Sequence, residues 1–206
     1  MRLSVLMALV FAAGVSAPAA RADGDPASDF LLSRDTFVPF DANISKAQTE
    51  QLDAIIAEAK KRGFKIKVAL IASEVDLGAV PSLWRKPETY ARFLGQEIFF
   101  LYKGRLLIVM PNGYGVSRAG KPLPSAQRVV DTLPNPGDCG PALATAAIRA
   151  VQRLAAEAGV QLEVPKASSS NKATHDRIVL AAIAAAIIVL FAAGFGAKLL
   201  LVKRRA

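Results

Sequence analysis

The chain has 206 residues, with 26 Lys and Arg against 17 Asp and Glu, a net charge of +9, and a single cysteine. Arg2 and Arg21 lie in an N-terminal leader, and Lys198, Lys203, Arg204 and Arg205 lie at the far end, so 20 of the 26 basic residues face the 17 acids in residues 23–177. That near balance argues against a nucleic-acid binder, and Cys139 alone excludes a disulfide framework within the chain.

Residues 1–22 read as a secretory signal. Arg2 supplies the positive end, Leu3 to Val15 is an uncharged, mostly apolar run, and Ala20-Arg21-Ala22 fits a small-residue cleavage site. Residues 23–41 form a polar lead-in with Pro26 and Pro39. One extracytoplasmic domain is then expected over residues 42–162. Ser45 and Gln48 match a capping box, Leu52, Ile55, Ile56 and Ala59 follow at helical spacing, and Gly63 stops the helix. FKIKVALIAS turns from alternating to fully apolar, as a strand entering a buried sheet does.

A loop, SEVDLGAVPSLWRKP, leads to a second helix, PETYARFLGQE, opened by Pro87. IFFLY and RLLIVM around Lys103-Gly104 read as a hairpin, and Asn112-Gly113 turns the chain again into YGVSR. A short helix is expected over 125–133 and a longer one from about Gly140 to Ala158, with Leu143, Ala146, Ala147, Val151 and Leu154 on its apolar stripe. This order predicts an α/β fold, a small mixed β-sheet between helices.

Residues 163–177 read as a tether without apolar periodicity. Ile178 to Ala197 is an uncharged stretch of the length that crosses a bilayer. A single-pass span over 178–202 is expected, with the basic tail 203–206 on the cytoplasmic side and the domain outside.

Few residues offer chemistry. Gly113 and Gly115 are followed by alternating residues and prolines rather than a helix, so they suit a hairpin and not a phosphate loop. Glu74 and Asp76 follow the end of a central strand, where α/β sheets bind ligands, and Asp131 and Asp138 flank the last helices; together these four are candidate ligand or metal residues. Ca²⁺ would need several of them to converge, whereas solvated acids, and a helix cap at Asp138, are the plainer reading. Tyr114 and Arg118, on the returning strand, are candidates to line a groove. Trp84, Tyr90, Phe93, Phe99 and Phe100 have core spacing, and Cys139 reads as a partly buried small residue before a helix start. His175, the only histidine, sits in the tether, so no Cys-His or Ser-His-Asp set is expected.

The early helix followed by KIKVALIAS, the PETYARFL segment, GRLLIVM leading into a hairpin, and Gly137-Asp138 before an Ala-rich helix resemble the TPM domain of exported bacterial membrane proteins and thylakoid-lumen proteins. The likeness covers roughly residues 42–160 and implies an α/β/α sandwich. It also implies one of three roles: an acid phosphatase, a calcium-binding domain, or an accessory protein of a membrane complex. Where that family carries a Gly-rich segment and an acid after the hairpin, this chain has AGKPLPSAQ, so no catalytic residue carries over. The expectation is a non-enzymatic interaction module of the cell envelope with a protein partner. A metal-dependent phosphatase and a Ca²⁺-binding domain are the alternatives.

Overall fold

A computed structural model of the chain describes residues 24–163. The expected signal, the span with its basic tail, and all but the first residue of the tether lie outside those residues. Among the described residues no helix is long and apolar enough to cross a membrane.

The lead-in holds structure that its polar composition concealed. Asp25 caps a helix, α1 (Pro26–Ser33), by accepting the Ala27 N–H, and Pro26 occupies the first helical position. A two-residue strand, β1 (Thr36–Phe37), follows. Helix α2 (Lys46–Lys61) begins at the Ser45–Gln48 capping box, as the sequence indicates, and ends before Gly63, whose φ of 86° only glycine adopts freely. It buries Leu52, Ile55, Ile56 and Ala59. Strand β2 (Ile66–Leu70) is buried along its whole length.

The long loop contains two short 3₁₀ turns, Glu74–Leu77 and Pro81–Leu83, before helix α3 (Pro87–Glu97). Strands β3 (Arg105–Met110), β4 (Gly113–Arg118) and β5 (Lys121–Pro122) form the meander. Helices α4 (Pro124–Asp131) and α5 (Gly140–Glu157) complete the domain.

The five strands lie in chain order. β1, β2 and β3 run parallel, while β3–β4 and β4–β5 are antiparallel. The sheet is therefore mixed, and the fold is α/β. Alternation along β3 sends Leu107 and Val109 to one face with α2, α4 and α5, and Leu106, Ile108 and Met110 to the other with α1 and α3. Two cores thus share one sheet.

Three expectations need correction. IFFLY is not a strand. Ile98 ends α3 by donating its N–H to Leu94, and residues 99–101 form a turn whose side chains point to solvent. Only Ile98 is buried, and Tyr102 packs against the core. Consequently Phe99 and Phe100 are exposed rather than in the core, whereas Tyr90 is fully buried.

Second, the β3–β4 turn is made by Pro111-Asn112. Met110 pairs with Gly113, and the positive φ, 149°, falls on Gly113. Gly115 has a different reason for being glycine: a Cβ there would stand 2.0 Å from the Pro87 carbonyl oxygen, so α3 rests directly on β4.

Third, Cys139 is exposed and is itself the N-cap residue of α5, with no side-chain bond to the helix. Asp138 therefore does not cap that helix.

Candidate functional site

The parallel strands give the domain two unlike ends. At their carboxyl end the chain leaves β1 through Phe40-Asp41, leaves β2 through the Glu74–Leu77 turn, and reverses after β3 at Pro111-Asn112. This is where an α/β sheet offers a ligand crevice.

Asp76 is buried there, and its carboxylate accepts the N–H groups of Ala72 and Ser73, each at 2.8 Å. Those bonds bend the chain sharply off β2. Burial raises the Asp76 pKa, the two backbone donors oppose the rise, and Asp41 nearby adds to it. The Ser73 hydroxyl is buried beside this carboxylate without a well-formed hydrogen bond.

Behind the turn, Asp25 receives the Tyr90 hydroxyl on both carboxylate oxygens, at 2.7 and 2.9 Å. Burial pushes the Asp25 pKa up to about 6, against the pull of the Tyr90 and Ala27 donors. Tyr90 is pushed upward too, by burial first and by the Asp25 charge second. Gly78, at φ 50°, lies flush with Gly24, since a Cβ there would meet the Gly24 carbonyl oxygen at 2.5 Å. The start of α1 is thus seated on the turn after β2. Sequence reasoning passed over Asp25 and Tyr90 as a pair; Asp25-Pro26, a cap followed by a first-turn proline, is the signal that reveals α1.

The four candidate acids serve separate ends. Glu74 is exposed on the 3₁₀ turn, and Asp76 is occupied by two backbone amides. Asp138 is exposed and lies 3.7 Å from the Arg85 guanidinium. The Arg85 carbonyl takes the Asn112 side-chain N–H at 2.8 Å, so these residues meet at the hairpin tip.

Asp131 belongs to another place. It accepts the Gln127 amide at 2.8 Å beside a cleft of ≈ 350 Å³ that Glu88, Arg92 and Arg128 also line. A Ca²⁺ ion takes six to eight oxygens from one shell. Among the described residues no three His, Cys, Asp or Glu side chains form a set able to hold a metal ion. The four candidate acids are therefore not brought together as a metal centre.

Tyr114 and Arg118 also part company. Tyr114 is buried, donates its hydroxyl to the Pro134 carbonyl at 3.0 Å, and backs a cleft with Gln48, Thr145 and Arg149. Burial raises its pKa, and Arg149 opposes the rise. Arg118 lies at the opposite end of β4, in a basic hollow.

No family model, curated protein or solved structure matches this chain significantly.

Besides these acids, the carboxyl end carries exposed apolar side chains. Phe40 is fully exposed and Val75 is 80 % exposed, each directly before an acid of the Asp41–Asp76 pair. Asp41 and Glu74, their neighbours in the chain, are exposed as well. Each is thus an exposed apolar side chain with an exposed acid next to it in the chain.

Proposed function

We propose that this protein is a membrane-tethered envelope domain that binds another protein through the carboxyl end of its sheet, without chemistry of its own. The observation that carries this reading is the exposure of Phe40 and Val75 at this end, apolar side chains that belong to neither core. Aromatic side chains of that kind anchor interfaces because they bury large area with little entropy loss. The exposed acids next to them in the chain, Asp41 and Glu74, favour a partner with basic groups around an apolar pocket.

The uncharged segment 178–197 and the leader 1–22 support a single-pass anchor with the domain outside the cytoplasm. Helices on both faces of a small mixed sheet supply the α/β domain that this reading places at the membrane.

The test is site-specific photo-crosslinking in intact cells, with a benzophenone amino acid at position 40 or 75 and, as reference, at exposed Glu50 on α2. Discrete adducts at 40 and 75, absent at 50, are expected. A pattern at 40 and 75 indistinguishable from that at 50 overturns the proposal.

A further inference from the structure

The amino end of the parallel strands is the chemical opposite of the carboxyl end. Phe99, Phe100 and Leu101 are consecutive and 44, 69 and 64 % exposed, on the turn that follows α3. Beside them Lys65, Lys103, Arg105 and Arg118 line a hollow of ≈ 370 Å³ that also takes in Gly63 and Leu101.

Among the described residues none of these four cations makes an ion pair. Lys103 sits over the Phe99 ring at 5.1 Å and Arg105 over the Phe64 ring at 4.5 Å. Arg105 and Arg118 face each other across the β3–β4 ladder. Like charges directly opposite are destabilising unless an anion lies between them. The neighbouring acids Glu58 and Asp35 are already taken, by Arg62 and by Lys60 with Lys67. Glu97, one turn back on α3, is the nearest acid in sequence and is exposed.

The described chain ends at this same end. Arg62 donates to the Gln161 carbonyl at 2.9 Å, which holds the last described residues against the Arg62-Gly63 corner. Only residues 164–177 separate that point from the apolar run beginning at Ile178. Even fully extended, such a stretch reaches no farther than about 50 Å.

We propose that the 99–101 turn and the Lys65, Lys103, Arg105 and Arg118 hollow form a docking face for a bilayer surface bearing anionic headgroups. Phe99, Phe100 and Leu101 enter the headgroup–acyl boundary. The hollow takes a lipid phosphate between Arg105 and Arg118. Apolar wedges ringed by Lys and Arg are what interfacial binding requires, since burial and electrostatic attraction add. Docking by this end turns the Phe40–Val75 surface away from the membrane, toward a partner. The inference rests on the reading of 178–197 as a membrane anchor.

The test uses the full chain carrying Trp84→Phe and Phe100→Trp, so that its only tryptophan reports from the turn. It is reconstituted into phosphatidylcholine–phosphatidylglycerol vesicles whose acyl chains are brominated near the headgroup. At least about twofold quenching and a blue-shifted emission are expected, as for a side chain buried within ~5–10 Å of the boundary. Quenching should fall to background in vesicles of phosphatidylcholine alone and in the Lys103→Glu/Arg118→Glu variant.

Unquenched emission from the Phe100→Trp reporter in the anionic vesicles overturns the proposal, and so does quenching that ignores both lipid charge and the charge-reversal variant. Resistance to alkaline extraction, measured on the same vesicles, reports anchoring separately. Extraction with quenching intact removes the anchor and leaves docking standing, whereas retention without quenching removes the docking face alone.

Discussion

Gln127 carries more of the sheet than its place on a surface helix suggests. β5 pairs only Ser117 and Arg118, so β4 is without a strand neighbour over Tyr114–Val116 on that side. Gln127 fills the gap: its carbonyl accepts the Val116 N–H at 2.8 Å, and its amide donates to the Tyr114 carbonyl at 2.9 Å and to Asp131 at 2.8 Å. Gln127→Leu keeps the volume and orphans one buried backbone donor and one acceptor. Each orphan costs about 1–3 kcal/mol, so a loss of about 2–6 kcal/mol is expected. The adjoining cleft admits water to one side, which favours the lower half of that range.

For a domain of this size the change lowers Tm by roughly 8–15 °C in a thermal melt followed by circular dichroism. Gln127→Glu separates this account from a simple packing effect. It retains the acceptor for Val116 but sets an oxygen against the Tyr114 carbonyl and Asp131. The glutamate variant should therefore be the less stable of the two at neutral pH, and should recover as acid protonates it. A leucine variant that melts within about 1–2 °C of the parent would show that Gln127 does not close this edge.

Other outcomes follow from the same packing. Gly115→Ala drives a methyl against the Pro87 carbonyl, with backbone on both sides of the clash, and should cost about 2–4 kcal/mol in denaturant unfolding; a midpoint shift too small to resolve would mean that α3 slides freely over β4. Asp25 titrates near 6 in the folded protein against 3.8 unfolded, so the folded state binds the extra proton between those values, and stability should rise as pH falls from about 6 to 4. Asp25→Asn, which retains a capping oxygen, should flatten that rise in a urea series across the window; an unchanged slope would assign it to other groups. Lys67 is buried, donates to the Leu31 and Arg34 carbonyls and pairs with Asp35 at 3.4 Å. Lys67→Met should cost about 3–5 kcal/mol by orphaning these acceptors, with hydrogen exchange rising first in α1 and β1, and uniform protection loss would contradict a local latch.

Elements with a periodic face and a chemical stop were legible in the sequence. α2 has its capping box and Gly63, and the buried strands β2 and β3 are too apolar to be anything exposed. The lead-in was not, because an eight-residue helix and a two-residue strand are too short to show a period; only Asp25-Pro26 marks them. IFFLY misleads for a physical reason. Five apolar residues before Lys-Gly carry the composition of a strand, and composition does not record that three of them stay in water. The candidate acids show the same limit. Spacing placed Glu74 and Asp76 after β2, but whether a carboxylate faces solvent, backbone amides or a guanidinium is decided by the turn it sits on. Gln127 was invisible for the complementary reason, since a polar residue on a helix reads as a solvated face.

Both margins of the sheet are two residues wide. β1 offers Thr36 and Phe37, and β5 offers Lys121 and Pro122, the latter with no N–H to give. Beside β5 the open stretch of β4 is closed by Gln127, and at the other margin the α1–β1 corner is held by Lys67. Under the anchoring proposed above, copies would meet at high local density, where long bare strand margins join one copy to the next. With margins of two residues each, this sheet offers a neighbouring copy little backbone to pair with.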